Sequence, residues 1–317
     1  MAVSGCSTSL PSASVVIPTF NRLRDLQRVL HALSIQRSSV PAPVQVVVVD
    51  DGSTDDTAAW LEARAAALEL TAVRQGNAGP ARARNAGVRA CGGDVVLFLG
   101  DDTEPQPGWL LEHLEGHRLV GADGKTAILG YTSFPAGVDS PFLRWINEHG
   151  AQFGYALIER PTAVPFNFFY TSNISLPRSL FEDLGGFRED FPAAAWEDIE
   201  FAYRAVAEGM RLRYQPRART VHHHRIRVGS FCRRQRTSGR SAAIFAVLHP
   251  ELEDFLGVPC VGRLSRRERL LRAPLRAWVA AGELAHGLAG GRVYRRLLDG
   301  YYLEGLARGL RQRSSRV

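Results

Sequence analysis

Runs of consecutive apolar residues recur along the first hundred positions, and each is followed by polar or acidic residues. The runs lie within 14–18, 46–49 and 95–99, and their continuous, often β-branched character is typical of strands buried on both faces of a parallel sheet. Between the first two runs, leucines recur at helical spacing over residues 23–33. This alternation predicts an α/β fold with a mostly parallel, doubly wound sheet over residues 14–102.

The pattern after residue 102 is less regular. It predicts strands near 127–131 and 171–176, and another that ends before Pro216. The small polar residues 1–13 predict a flexible leader, and the helical spacing of apolar residues in 255–317 predicts a helical appendage. The expected domain organisation is a catalytic domain over 14–254, with a nucleotide-sugar half at about 14–102 and an acceptor half at about 103–254, followed by a basic appendage over 255–317.

The positive charge of the chain is concentrated at its C-terminal end. The 317 residues have a formal net charge of +7, and residues 255–317 alone contain thirteen arginines and four acidic residues. The remainder is therefore nearly neutral, which excludes a basic nucleic-acid-binding domain there, whereas the tail favours anionic surfaces. Four cysteines without a CxxC pair predict neither a disulfide framework nor a zinc site, and fit a reduced, cytoplasmic compartment.

Carboxylates follow two of the predicted strands. Asp50 and Asp51 end one strand, Asp101 and Asp102 follow another, and the first strand opens into a polar loop that begins at Thr19. In an open α/β sheet these strand ends meet at one edge, where ligands bind. Paired carboxylates there suit a hard divalent cation shared with a substrate phosphate. The alternative is a solvated turn whose aspartates only cap the next segment.

Other nucleotide-binding loops are missing from the sequence. No G-x-G-x-x-G segment follows the first predicted strand, and the chain contains no G-x-x-x-x-G-K-[ST] segment. The sequence therefore lacks the motifs that would indicate a dinucleotide-binding or a P-loop protein.

Two further polar clusters lie in the second half. Glu197 and Asp198 fall in the first turn of a predicted helix, where the helix dipole alone would account for carboxylates. Three consecutive histidines begin at His222, and successive residues of a strand point to opposite faces, so at most His222 and His224 can share one ion. The alternative is a cationic cluster that contacts phosphate.

Several segments together resemble the nucleotide-sugar domain of family 2 glycosyltransferases, which have the GT-A fold. They are VIPTFNR (16–22), VVDDGSTD (48–55) and NAGPARARN (77–85), and FLGDD (98–102) is similar to the family's DXD segment. WEDIE (196–200) matches the segment whose Asp is the catalytic base in inverting members. Gly100 departs from the pattern, since many members have the first Asp of DXD there. By this resemblance, metal binding rests mainly on Asp102.

The resemblance implies a metal-dependent inverting transfer of a sugar from a nucleoside diphosphate sugar to an acceptor hydroxyl, in the synthesis of cell-surface glycans or glycoconjugates. Asp198 would be the catalytic base, with Glu197 as its neighbour or substitute. A Mn²⁺ or Mg²⁺ cofactor would be held by Asp102, Asp101 and His222. The residues that the resemblance assigns to nucleotide-sugar binding are Pro18, Thr19, Asn21, Arg22, Asp50, Asp51, Gly79, Arg84, Asp101, Asn173 and Trp196.

Several alternatives remain open from the sequence. A sugar-phosphate nucleotidyltransferase or a non-catalytic nucleotide-sugar-binding protein would also use an acidic α/β sheet edge. Arg84 is either near the pyrophosphate or a solvated helix residue. The expected acceptor is a glycan or a lipid-linked molecule, and the basic C-terminal helices either contact the inner face of the cell membrane peripherally or pack on the catalytic domain or a second copy in a homodimer.

Overall fold

The computed structural model describes residues 9–121, 123–138, 140–150, 152–191, 193–224, 226–263, 266–284 and 290–314. The chain forms two compact units, the first of 1–135, 158–189 and 198–224, and the second of 136–157, 190–197 and 225–317. Most of the predicted leader lies outside the described residues, and Ala13 already begins the first strand. Cys6 also lies outside them, while Cys91, Cys232 and Cys260 are free thiols.

The first unit is built on one eight-stranded sheet. Its strands are β1 (Ala13–Thr19), β2 (Val44–Asp50), β3 (Leu70–Arg74), β4 (Val95–Leu99), β5 (Thr103–Pro105), β6 (Thr126–Ser133), β7 (Asn173–Pro177) and β8 (Arg211–His222). The spatial order is β3-β2-β1-β4-β7-β6-β8-β5. Strands β1 to β4 are parallel to one another, β7 is antiparallel to β4 and β6, β8 runs parallel to β6, and β5 is antiparallel to β8. The predicted parallel arrangement of the first four strands is confirmed.

The helices of the described residues are numbered in chain order. They are α1 (Leu23–Arg37), α2 (Thr57–Arg64), α3 (Pro80–Arg89), α4 (Trp109–Val120), α5 (Pro141–Glu148), α6 (Arg178–Asp183), α7 (Glu197–Ala207), α8 (Val228–Leu248), α9 (Glu253–Leu256), α10 (Arg266–Leu284) and α11 (Gly291–Ser314). None of the helices in the described ranges combines the length and apolar character needed to cross a membrane.

Apolar side chains of the central strands are buried on both faces of the sheet. Leu97 of β4 lies in one buried cluster with Leu26 of α1 and Trp109 of α4. The next residue, Phe98, points to the opposite face, where its ring centroid is 5.2 Å from that of Phe187. Continuous apolar runs are needed here because both faces exclude water, as the sequence predicts.

Strand β8 differs from the sequence prediction. The sequence predicts a short strand that ends before Pro216, but the structure has one twelve-residue strand from Arg211 to His222. Its register with β6 shifts after Gly130, at the level of Pro216. A bulge tolerates a proline that cannot donate a ladder hydrogen bond, so the strand continues to the histidines.

The second unit is helical, and α8 and α11 pack closely along each other. At Gly239 an added Cβ would lie 2.0 Å from the carbonyl oxygen of Tyr302, so the contact requires glycine. Tyr294 and Leu298 of α11 are buried, whereas Trp278 of α10 is 46% exposed. The structure therefore groups α8 with the C-terminal helices, while the domain boundary after residue 254 stays a prediction.

Candidate functional site

Strand ends of the first unit bring Thr19 and the two acidic pairs to the same edge of the sheet. Thr19 pairs with Asp50 in the parallel register of β1 and β2. Its hydroxyl donates a hydrogen bond of 2.9 Å to Oδ2 of Asp101. The link joins residues 82 positions apart, so it depends on the sheet order and not on local turn geometry. The convergence expected from the sequence is present.

Arg22 joins the two carboxylates that follow β4. Its Nη1 lies 3.2 Å from Oδ1 of Asp101 and donates a second hydrogen bond to Oδ2 of Asp102. Burial, which the Arg22 charge only partly offsets, raises the pKa of Asp101 to about 6. Burial acts in the same direction on Asp102, but His222 and Arg22 outweigh it and lower the pKa of that carboxyl. The adjacent carboxyls therefore differ, because burial dominates the pKa of Asp101 and the neighbouring cations dominate that of Asp102.

The three histidines emerge at the end of β8 and alternate in direction, as the sequence predicts. His222 places Nε2 3.4 Å from Oδ1 of Asp102, and His224 places Nδ1 4.0 Å from Oδ2 of the same carboxylate. His223 turns the other way, and its Nε2 lies 2.6 Å from Oε2 of Glu104. The pairing of β5 with β8 sets this arrangement, because Thr103 lies opposite His222.

The residues at this edge form a suitable donor set for a divalent metal. Carboxylate oxygens and an imidazole nitrogen are ligands that Mn²⁺ accepts, and His222 already lies beside Asp102. Among the described residues, no three His, Cys, Asp or Glu side chains are already gathered into a group that could hold an ion. Arg22 forms ion pairs with both Asp101 and Asp102.

The first acidic pair shapes loops around the site. Oδ1 of Asp51 accepts hydrogen bonds from the side chain of Gln75 and the backbone of Ala78, and its Oδ2 accepts one from the backbone of Gly79. Gly79 has a φ of +91° at the start of α3, a conformation that favours glycine. Oδ1 of Asp50 accepts a hydrogen bond from the backbone of Ser53. Sequence reasoning missed Gln75, which no local pattern distinguishes.

Asn21 holds the loop after β1 against the loop after β2. Its side-chain oxygen accepts hydrogen bonds from the backbones of Thr54 at 2.7 Å and Asp55 at 3.2 Å. Its own backbone N–H donates to Oγ of Ser53, and its φ is +54°. Pro18 remains within β1, opposite Val49 of β2. Both predicted residues therefore build the edge of the site.

Asp198 approaches the same edge through the residues that precede β7. Its Oδ2 accepts hydrogen bonds from the Thr171 hydroxyl at 3.2 Å and backbone at 3.4 Å. The adjacent Ser172 accepts a backbone hydrogen bond from Gly100, directly before the Asp101–Asp102 pair. Burial raises the pKa of Asp198, against the opposing effects of the Arg84 charge and the Thr171 hydrogen bonds. Sequence reasoning missed Thr171, although it opens a polar segment before a strand.

Arg84 of α3 is buried. Only 9% of the residue is exposed, and its guanidinium carbon lies 6.0 Å from the centroid of the Phe187 ring. Its charge lowers the pKa of Asp198, against the larger, opposite effect of burial. The alternative of a solvated helix residue is therefore wrong, because Arg84 is buried. A buried guanidinium must be compensated by nearby anions or acceptors.

Trp196 and Glu197 belong to the second unit, whereas Asp198 belongs to the first. The Trp196 indole donates a hydrogen bond to the Ser238 hydroxyl at 2.9 Å, and its ring centroid lies 5.9 Å from that of Phe245. These contacts give Trp196 a packing function within the helical unit. Its predicted contact with the nucleotide sugar stays a prediction.

Asn173 begins β7 opposite Leu99, the last residue of β4, but its side chain is buried inside the protein. The residue is fully buried, and its side-chain oxygen accepts hydrogen bonds from the Trp109 indole at 2.7 Å and bonds His113 at 2.9 Å. Its amide nitrogen donates to the carbonyl oxygens of Ala218 and Tyr131. Burial lowers the pKa of His113 to about 4, so the network contains a neutral imidazole. Both ends of the amide have partners inside the protein, which gives Asn173 a structural function; its predicted contact with the donor stays a prediction.

We expect Asn173→Ala to lower the free energy of unfolding by about 2–5 kcal/mol, because several buried polar groups lose their partner at once. Urea denaturation measures the loss. The control for the stability measurement is Asn77→Ala, which removes the same amide from an exposed residue. A variant as stable as the parent protein with weakened nucleotide affinity would instead assign Asn173 to the donor site.

Solved structures share this fold. The mannosyltransferase PcManGT from Pyrobaculum calidifontis, in complex with GDP-Man and Mn²⁺, is 21% identical with a TM-score of 0.61, over 96% of this chain and 88% of that chain. S. aureus TarS 1–349 in complex with UDP-GlcNAc is 19% identical with a TM-score of 0.54, over 94% and 91%. At these identities the likeness shows the GT-A fold alone.

Relatives with higher sequence identity support the family assignment. The pre-mycofactocin glycosyltransferase of Mycobacterium tuberculosis (strain ATCC 25618 / H37Rv) is 32% identical over 248 residues, which cover 75% of this chain and 48% of that protein. The validoxylamine A glucosyltransferase of Streptomyces hygroscopicus subsp. limoneus is 32% identical over 230 residues, covering 65% and 50%. The chain thus spans about half the length of these relatives. A family model described as glycosyl transferase family 2 matches residues 14–185, more than half of the sequence, and the chain belongs to that family.

Proposed function

We propose that the first unit is the catalytic domain of a metal-dependent inverting glycosyltransferase that uses a nucleoside diphosphate sugar. The observation that carries the proposal is the cluster of Thr19, Arg22, Asp101, Asp102 and His222 at one sheet edge, to which Thr171 connects Asp198. Nucleotide-sugar complexes of proteins with this fold support it.

The donor binds, in this proposal, across the ends of β1, β2 and β4. Thr19 and the loops organised by Asp51 and Asn21 bind the nucleotide, and Arg84 balances the diphosphate. Asp102, Asp101 and His222 would hold Mn²⁺ or Mg²⁺, which stabilises the negative charge that develops on the leaving diphosphate. That stabilisation removes the need for a second carboxylic acid to protonate the leaving group.

Asp198 acts as the general base. The acceptor oxygen forms a bond to the anomeric carbon while the bond from that carbon to the diphosphate oxygen breaks. The hydroxyl proton passes to the Asp198 carboxylate as attack proceeds. A single displacement inverts the configuration at the anomeric carbon and needs only one base, unlike the pair of carboxylates that a glycosidase uses.

A donor screen tests this function. Thermal unfolding is followed with Mn²⁺ and a panel of uridine, guanosine and thymidine diphosphate sugars, because a true donor raises the melting temperature by mass action. Release of nucleoside diphosphate on addition of candidate glycan or lipid-linked acceptors then reports transfer. Release of pyrophosphate from a nucleoside triphosphate and a sugar phosphate would instead favour a nucleotidyltransferase. A donor bound without turnover by any acceptor would favour a binding protein.

The pKa of Asp198 predicts the pH dependence of transfer. Burial raises this pKa, so the protonated, inactive form persists to higher pH than for an ordinary carboxyl. The rate should fall as pH is lowered through the raised value. Thr171→Val removes a hydrogen bond that favours the carboxylate, so the acid limb of kcat should move to higher pH. Thr126→Val, which removes a similar bond to Asp123, is the control; an unmoved limb in Thr171→Val contradicts Asp198 as the base.

We further propose that the helical unit makes peripheral contact with an anionic membrane surface, in keeping with a lipid-linked acceptor. A cavity of about 820 Å³ between α10 and α11 is lined by Leu271, Leu275 and Trp278 together with Arg292 and Arg295. Half-exposed apolar side chains beside arginines suit the interface of anionic lipid.

Co-sedimentation of the full chain with vesicles checks this contact. We expect binding to phosphatidylglycerol vesicles and little binding to phosphatidylcholine vesicles. Arg295→Gln should lower the affinity several-fold, since each basic residue near such a surface contributes about 1 kcal/mol. Trp278→Ser should lower it by a similar factor, because it removes an apolar side chain that would enter the interface. Leu119→Ser removes an exposed leucine from α4 of the other unit and should bind like the parent. Equal partitioning of the parent chain and all variants between vesicles and solution would contradict the proposal.

A further inference from the structure

Arg22 bridges the two carboxylates that the proposed metal site would use. One nitrogen, Nη1, contacts Oδ1 of Asp101 and Oδ2 of Asp102. The carboxylate side chains are 10% exposed, whereas that of Arg22 is 38% exposed. The positive charge thus reaches a partly buried acidic pair from a side chain that remains open to solvent.

Two cations compete for the same pair of carboxylates. Arg22 contacts both Asp101 and Asp102, which are also the residues that would hold a divalent ion. Close positive charges also repel, and a partly buried site screens that repulsion weakly. Occupation by Arg22 and occupation by a divalent ion would therefore oppose each other.

We propose that Arg22 is a place-holder cation, which occupies the Asp101–Asp102 pair until metal and nucleoside diphosphate enter together. This rests on the proposed function. On entry of the donor, the guanidinium leaves the carboxylates and pairs with the diphosphate, so that every charge has a partner before and after. Metal alone offers Arg22 no new anion, and it binds weakly for that reason.

The position of Arg22 permits this exchange. It is the residue directly before α1, and it follows Asn21, whose side chain is fixed to the loop after β2. The backbone is therefore held while the long, half-exposed side chain can turn. An ion pair of this exposure is also modest in strength, so a diphosphate can replace it.

Direct measurement of Mn²⁺ binding tests the proposal without any transfer assay. The electron paramagnetic resonance signal of free Mn²⁺ is titrated against the parent chain and Arg22→Gln, with and without UDP or GDP. Without nucleotide, we expect Arg22→Gln to bind Mn²⁺ about tenfold more tightly, because the variant lacks the guanidinium that competes for the carboxylates. Loss of one hydrogen bond to a charged group changes an equilibrium constant by about this factor. With the nucleotide that binds, the difference should shrink. Arg24→Gln, which removes an equal charge from an exposed residue of α1, should behave as the parent.

The outcomes separate this proposal from the proposed function. Equal or weaker Mn²⁺ binding by Arg22→Gln, with nucleotide-dependent binding retained in the parent, overturns the place-holder and leaves the metal-dependent enzyme standing. No Mn²⁺ binding by any variant with either nucleotide overturns both. Thermal unfolding confirms that each variant is folded, and Arg22→Met supplies a second uncharged side chain of similar length.

Discussion

Asp198→Asn is expected to lower the rate of sugar transfer by about 10²- to 10⁴-fold, the usual contribution of a positioned general base, while the affinity for the donor stays nearly unchanged. The amide has nearly the shape of the carboxylate but cannot accept the acceptor's proton. Its oxygen can still accept the hydrogen bonds from Thr171, so the geometry before β7 is retained. Single-turnover transfer and donor-induced thermal shift, measured on the same samples, separate chemistry from binding.

The control removes an exposed carboxylate by the same substitution. Asp183→Asn changes the last residue of α6 and should leave both quantities unaltered. If Asp198→Asn transfers sugar at the parent rate, Asp198 is not the base, and Glu197 becomes the residue to replace next. If instead donor binding is lost together with transfer, Asp198 holds the substrate and the assignment of a proton-transfer function is wrong.

The nucleotide-sugar half could be predicted well because its strands are buried on both faces. Continuous apolar runs such as 46–49 leave few alternatives to a parallel sheet, and polar residues directly after them must lie at one edge. The clustering of Thr19 with Asp101 follows from that topology. Histidine alternation after β8 was predictable from strand geometry alone.

The later half could not be predicted as well, because its side chains depend on partners distant in sequence. Asn173 appears in a polar strand segment that suggests a pocket, yet Trp109 and His113 of α4 use its oxygen inside the protein. Trp196 precedes an acidic pair, but its ring packs with Phe245 in the helical unit. A sequence gives the residue type in such cases and not the direction in which the side chain points.

Asp102→Asn is expected to abolish the Mn²⁺-dependent part of donor binding and to lower transfer by more than about 100-fold, since even the outer partners of a metal ligand contribute 10- to 100-fold. His222 and Arg22 lower the pKa of Asp102, and it is the carboxylate that both His222 and His224 approach. The amide removes the charge that attracts the cation. Titration with Mn²⁺ and nucleoside diphosphate, followed by calorimetry, measures the loss.

Asp101→Asn is the informative comparison, because the two carboxyls are adjacent but differ in environment. Burial raises the pKa of Asp101 to about 6, and the Thr19 hydroxyl already occupies one of its oxygens, so its loss should weaken Mn²⁺ binding less than the loss of Asp102. Asp94→Asn, an exposed residue before β4, should have no effect. A larger effect at Asp101 than at Asp102 would contradict this order and move the main metal ligand to the first carboxylate. The absence of any effect at either position would mean that the acidic pair serves only to hold Arg22.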